Sequence, residues 1–193
     1  MDIQPITLEG RVARLVPLSV EHAADLSENC SPDLFTYHFP PPDFSPAGFA
    51  AMIQFLNHAP GYCPFAIVDK SSGRVIGVTS YLDIRPGDRG VEIGFTWIAK
   101  PYQGSLVNPE CKYLLFRHAF DDQQAVRVQL KTDLRNVQSQ RAIEKLGAVR
   151  EGVLRKHMIR PDGFIRDSVM FSVTAEEWPE VRARLETRLG YVP

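Results

Sequence analysis

The stretch from residue 90 to residue 132 constrains the fold more than any other part of the chain. An apolar strand-like run, "GVEIGFTWI" (90–98), passes through a short polar loop into an amphipathic helix-like run that ends near Phe120. A second run, "AVRVQLKT" (125–132), follows with Val126, Val128 and Leu130 alternating. A helical crossover of that length sets its two strands parallel, with a right-handed connection. The flanking segments read instead as hairpins. "PFAIVDKSSGRVIGVTSYLDI" folds back around Ser71-Ser72-Gly73, and "VLRKHMIRPDGFIRDSVMFSV" around Pro161-Asp162-Gly163. The expected class is a mixed α/β (α+β) fold: one mostly antiparallel sheet with a central parallel strand pair and helices on both faces.

The other elements fit one domain over residues 1–193, with a core of about 11–173 and a C-terminal helix at 175–190. "RVARLVPL" (11–18) predicts a strand, and Ser19 caps a short helix to about Asn29. Ser45 as N-cap and Pro46 at the first helical position start the next helix, with Phe49, Met52, Ile53 and Leu56 at helical spacing. "NVQSQRAIEKLG" (136–147) predicts a helix capped by Asn136 and stopped at Gly147. Thr174 with Glu177 forms a capping box for the last helix, which carries Trp178, Val181 and Leu185 on one side.

Composition narrows the function. The 22 basic and 23 acidic residues nearly cancel, which argues against nucleic acid as a general partner. No apolar run approaches the roughly 18 to 20 residues of a membrane span. The start, "MDIQPITLEGRVARL", lacks the pattern of a secretion signal. Cys30, Cys63 and Cys111 are odd in number and scattered, which suits a reducing cytoplasm. They share no metal-ligand spacing with His22, His38, His58, His118 or His157, so no metal is expected.

The loop "QGSLVN" (103–108) has two readings. It is an ordinary strand-to-helix turn, with Asn108 as N-cap and Pro109 at the first helical position. Alternatively, it is an anion seat: Gly104 removes bulk, and a helix start offers unpaired N–H groups and a positive dipole end. Pro109 donates no N–H and Glu110 adds negative charge, so the useful donors would be the amides of Gly104 through Asn108.

Motif order favours the second reading. From about Arg11 to Val173 the chain resembles the GNAT superfamily of acyl-CoA-dependent N-acetyltransferases, whose phosphate loop follows Gln/Arg-x-x-Gly-x-Gly/Ala after a central strand. Gln103 and an extra Gly104 are present, but Leu106 and Asn108 replace the later small residues. The segment from Asp133 to Val173 is similar to the branch that includes the ribosomal-protein N-terminal (RimJ/RimL-like) acetyltransferases. It carries Asn136 and Ser139, Glu144 to Gly147, Glu151-Gly152, and Gly163 with Arg166-Asp167; Ala148 replaces the usual Phe. "VEIGFTWI" matches that branch's central strand.

The resemblance implies direct acetyl transfer from acetyl-CoA to a primary amine in a ternary complex, with no acyl-enzyme and no nucleophilic cysteine. It implies cofactor contacts from Gln103, Gly104, Ser105, Leu106, Val107 and Asn108 to the diphosphate. Trp97 and Ile98 would lie along the pantetheine and near the oxyanion, Asn136 would contact the pantetheine arm, and Ser139 would also contact the cofactor. Such transfer needs a proton acceptor for the amine and a proton for the departing thiolate. Glu92, on the half-polar strand face, is the candidate base; its other reading is a salt bridge to a neighbouring strand. Many relatives carry a donor tyrosine where this chain has Ile143, so Ser139 is the candidate donor; its other reading is a first-turn residue bonding the backbone. Arg141, with Lys145, either neutralises cofactor phosphate or is simply solvated. Asp167 interrupts the apolar set Ile165, Val169, Phe171 and Val173, and is expected to pair with Arg155 or His157.

Acceptors in relatives lie between the early helices and the last hairpin, here "FTYHFPPPDF" (35–44) and "KHMIRPDG" (156–163). Phe35, Tyr37, Phe39 and Phe44 either line an apolar slot or pack the loop down. Three other functions stay open: a CoA- or peptide-binding module without turnover, transfer of another acyl group, and a pure scaffold. A homodimer also remains open.

Overall fold

The structure is a computed structural model in which residues 1–191 are described; residues 192 and 193 lie outside the described residues. Its strands are β1 (Leu8–Glu9), β2 (Ala13–Pro17), β3 (Cys63–Asp69), β4 (Val75–Arg85), β5 (Gly90–Ile98), β6 (Arg127–Asp133), β7 (Val149–Ile159) and β8 (Ile165–Thr174). The helices are α1 (Ala23–Glu28), α2 (Pro46–His58), α3 (Val107–Arg117), α4 (Val137–Glu144) and α5 (Trp178–Leu189). The strands form one sheet in the order β1-β2-β3-β4-β5-β6-β8-β7. Every neighbouring pair is antiparallel except β5–β6, the pair joined by the α3 crossover.

The parallel pair is short. β5 and β6 meet only where Gly90, Val91 and Glu92 face Arg127, Val128 and Gln129. Beyond Glu92, β6 continues against β8 as far as the Asp133–Ser168 pair. β5 turns away: Phe95 takes a left-handed φ of 45°, and the β4–β5 register shifts between Val78 and Ser80. A bulge of this kind bends its strand and re-aims the side chains beyond it. A wedge-shaped gap therefore opens between two strands of the same sheet.

Packing differs on the two faces. On one, Val91, Ile93, Val128, Leu130, Phe171 and Val173 bury against Leu114 and Phe116 of α3 and Trp178 of α5. On the other, α1 and α2 lay Leu26, Phe49, Ile53 and Leu56 over Val78 and Trp97. Each such fully buried side chain contributes roughly 1.5–3 kcal/mol. The second core stops at β5. Past it the same face carries Glu92, Gln129, Lys131, Asp133, Ser168 and Ser172, as the pairings Glu92–Gln129, Gln129–Ser172 and Asp133–Ser168 require.

Most predicted boundaries hold. Ser45 Oγ accepts the Gly48 N–H at 3.2 Å, and Asn136 Oδ1 accepts the Ser139 N–H at 3.0 Å. The start of α3 is corrected. Its N-cap is Leu106 rather than Asn108, and Asn108 and Pro109 lie inside the first turn. Ser105 supplies the cap, its Oγ accepting the Val107 N–H at 3.2 Å. Pro109 fits there because first-turn amides have no intrahelical acceptor. The last helix also starts late: Glu177 accepts the Thr174 N–H at 2.8 Å but is itself the N-cap. Asp167 is corrected too. It accepts the backbone N–H of Lys156 at 2.7 Å, while His157 turns to Ser168 Oγ at 3.0 Å.

Glu110 does not sit at the helix start as a free charge. Its buried carboxylate accepts the N–H groups of Arg11, Val12 and Ala13 at 2.8, 2.8 and 2.6 Å, and the Tyr191 hydroxyl at 2.7 Å. It thus clips α3 to the β1–β2 turn and the chain end. Glu110→Ala would orphan the buried Ala13 amide and unpin Arg11, Val12 and the Tyr191 hydroxyl, and is expected to lower stability by about 3–5 kcal/mol, read from the urea midpoint. Glu110→Gln, which keeps an acceptor, should lose less. A loss under about 1 kcal/mol for the alanine variant would show that the clip is not an anchor.

Candidate active site

The gap between β5 and β6 lies directly between two helix starts. α3 begins where β5 ends, and α4 begins where β6 ends. Within the loop before α3, Gln103 is used internally: its N–H bonds Lys100 O at 3.1 Å and its Nε2 bonds Ile98 O at 3.0 Å. The Val107 N–H is taken by Ser105. Among the described residues, the amides of Gly104, Ser105, Leu106 and Asn108 have no acceptor. Gly104 has φ 76° with nothing near a Cβ position, so a glycine-type backbone turns here in open space. Gly104 to Leu106 are exposed. The Asn108 side-chain oxygen is enclosed with no donor, an orphaned acceptor at the base of the loop.

Glu92 lies at the fork, where the two strands part. It is 1% exposed, and its Oε2 accepts Lys131 Nζ at 2.7 Å and Gln129 Nε2 at 3.0 Å. The salt bridge to the neighbouring strand is therefore present, and Oε1 is left without a hydrogen bond among the described residues. Across the gap, Ser139 is half-buried in the first turn of α4. Its N–H is bonded to Asn136, while its hydroxyl has no partner among the described residues. Arg141 stands exposed on the same helix, and Lys145 stands exposed at its C-cap.

The bulge that moves β5 aside also turns Thr96 toward α3. Thr96 Oγ1 accepts Lys112 Nζ at 2.6 Å, and Thr79 Oγ1 accepts it at 3.3 Å. Lys112 is 5% exposed with no carboxylate within ion-pairing distance among the described residues. Burial pushes its ammonium down to about 8. Burial also holds Cys63 at about 11 and Cys111 at about 12, so neither is a thiolate near neutrality. Among the described residues no group of three or more His, Cys, Asp or Glu could hold a metal, and no helix is long and apolar enough to cross a membrane.

The loop at 35–44 covers the polar end of the gap. Phe35 is buried, its ring 5.5 Å from Trp97 and 5.8 Å from Phe44, so it packs the loop down. Phe39 and Phe44 remain partly exposed, and Tyr37 reaches the Arg135 carbonyl at 3.5 Å. From the β7–β8 hairpin, Arg160 donates to the carbonyls of Thr36 at 2.5 Å and His38 at 3.4 Å. His38 points its ring at Phe95, and burial, with Arg166, Arg160 and Lys112 nearby, depresses its imidazole to about 4.

The Acetyltransferase (GNAT) domain model matches residues 13–149. The chain belongs to the GNAT family. Solved structures agree across nearly the whole chain. A protein from T. thermophilus described as an acetyltransferase is 44% identical, with a TM-score of 0.92 over 98% of this chain and 100% of that one. A GCN5-related N-acetyltransferase from Brucella melitensis is 29% identical, with a TM-score of 0.91 over 97% and 86%. Mycobacterium smegmatis RimJ, solved in complex with CoA-disulfide, shares the fold at 22% identity and a TM-score of 0.80 over 96% and 95%. No curated protein matches.

Within this GNAT fold, several site groups escape sequence reasoning. Lys112 sits in "ECKYLLF", where helical periodicity already hints at its burial. Lys131 alternates with Gln129 and Asp133 on the polar side of β6, a pattern that marks a face without naming a partner. His38 and Arg160 meet only in three dimensions.

Lys112 makes a pH prediction. Below about 8 the ammonium is charged in both folded and unfolded chains, and its burial cost, about 3 kcal/mol for a drop from 10.5 to about 8, is fully present. Between about 8 and 10.5 the folded chain sheds its proton first, so this cost fades as pH rises. Lys112→Met has no charge to bury. Its melting temperature should exceed wild type near pH 7, with the difference shrinking above about pH 8. A difference that stays constant from pH 7 to 10.5 would contradict this account.

Proposed function

We propose that the protein is an acetyl-CoA-dependent N-acetyltransferase that acetylates a primary amine by direct attack within a ternary complex. The observation that carries this reading is the pairing of an open β5–β6 gap with four unengaged amides at Gly104, Ser105, Leu106 and Asn108. The gap suits an extended arm lying between strands, and the amides suit a diphosphate at the start of α3. The complex of the RimJ neighbour with CoA-disulfide lends support to the same co-substrate class.

In this reading Glu92 Oε1 takes the proton of the incoming ammonium, directly or through water, while Lys131 and Gln129 hold the carboxylate in place. The attack then needs a donor at the carbonyl oxygen, a role for backbone N–H at Trp97 or Ile98 on the splayed segment. Ser139, whose hydroxyl is uncommitted, gives its proton to the departing thiolate as the C–S bond breaks and recovers one from the nitrogen as the amide forms. Asn136 orders that turn through its cap and offers its amide to the pantetheine arm. The loop at 103–108 orients the donor, with the exposed Leu106 side chain at its rim. Three free cysteines are consistent with work in the reducing cytoplasm.

The direct test is release of free CoA thiol from several acyl-CoA donors across a panel of amines, with acyl-CoA binding measured alongside. Amine-dependent release from acetyl-CoA is expected; binding without release would replace this reading with a binding module. Glu92→Gln should lower kcat/KM by about a hundredfold, with the largest loss at low pH, where more of the amine is protonated. Ser139→Ala should lower kcat by about tenfold with unchanged acetyl-CoA affinity. Wild-type turnover in either variant removes that residue from the mechanism.

A further inference from the structure

Arg166 is a buried cation of the polar face with no ionic partner among the described residues. It lies on β8, two residues before Ser168, which pairs with Asp133. Alternation puts its side chain on the Glu92, Lys131 and Asp133 face, opposite the face that packs α3. It is 9% exposed, its Nε is enclosed, and its guanidinium has no hydrogen bond or ion pair among the described residues. The nearby carboxylates make no hydrogen bond or ion pair to it among the described residues. Glu92 Oε2 holds Lys131 and Gln129, and Asp133 takes Arg135 Nε at 3.0 Å and Nη2 at 2.8 Å. Burial weakens the guanidinium's hold on its proton, with Asp133 and Glu92 the attractive neighbours and Arg160 and Arg135 the repulsive ones.

A buried guanidinium without a counter-ion is costly, and the partner it fits best is a carboxylate, met through two parallel N–H···O bonds. The diphosphate of the co-substrate is a poor candidate, because its amide seat opens at the start of α3 and α3 packs on the opposite face. The other occupant of the gap is the amine acceptor. Around it stand Arg160, Lys131 and a neutral His38; Arg160 pairs with Asp162 at 3.8 Å and Lys131 with Glu92 at 2.7 Å, so neither carboxylate is bonded to Arg166.

Resting on the acetyltransferase reading, we infer that Arg166 binds a carboxylate carried by the acceptor, close to its amine. The acceptor class is thus an α-amino acid or a chain end with an acidic side chain, rather than an uncharged or polycationic amine. Arg166 acts here as a specificity determinant and not in the transfer itself.

The test compares matched pairs that differ only in that charge. Phenylalanine and methionine are set against their amides, and Ala-Asp-amide against Ala-Asn-amide, in acetyl-CoA turnover. Binding is measured in parallel by calorimetry with CoA present, using N-acetylphenylalanine and its amide. The carboxylate member of at least one pair should be favoured by about ten- to hundredfold, and which pair responds separates amino acids from acidic chain ends. Arg166→Met should bring that ratio toward one, and Arg166→Lys should keep part of it; melting curves check that both variants fold. Equal use of both members, a preference that survives in Arg166→Met, or a loss that falls on acetyl-CoA affinity would overturn the inference. Should no amine be turned over, the calorimetric preference still decides it: retained, only the acetyltransferase reading fails; absent, both do.

Discussion

The parting of β5 from β6 after Glu92 is the constraint on which the remainder of the site depends. Two parallel strands inside one sheet normally stay paired, since a separated edge leaves N–H and C=O groups without partners. Here the left-handed Phe95 and the register shift against β4 carry β5 aside, while β6 keeps its pairing with β8. Neither strand loses its outer neighbour, so the sheet survives the opening. The cost is confined to the inner edges, where an extended ligand can supply the missing partners.

Several features follow from that single divergence. The bulge turns Thr96 under α3, which lets Lys112 bury its ammonium against two hydroxyls. The fork leaves Glu92 at the apex with one oxygen held and one uncommitted. The end of β5 feeds a loop whose amides precede α3, and Glu110, which would oppose an anion there, is drawn off to the β1–β2 turn. Charge that sequence position alone assigns to the helix start serves instead as a structural clip.

The two faces of the sheet divide the labour. Apolar packing against α3 and α5 holds the crossover rigid, whereas the opposite face loses its helical cover beyond β5. Polar side chains from β5, β6 and β8 then line a floor under the loop at 35–44, itself tied down by Phe35 on Trp97 and by Arg160. The ionic pairing within this layout leaves the Arg166 guanidinium without a hydrogen bond or ion pair among the described residues.

Local pattern suffices for the strand-loop-helix-strand unit, both hairpins and the caps at Ser45 and Asn136, because these rest on periodicity, turn chemistry and near-neighbour hydrogen bonds. The cap of α3 falls two residues earlier than Asn-Pro, a strong start signal, would place it, because Ser105 lies closer and takes the first amide. Asp167 stands out in the pattern of its strand, but a bulge at Lys156 brings a backbone amide nearer to it than Arg155 or His157. Order, polarity and family of the elements are thus written in local chemistry along the chain. Which amides stay free, which carboxylate oxygens are occupied and which buried cations lack a partner emerge only on folding, because each depends on distances between strands far apart in the chain.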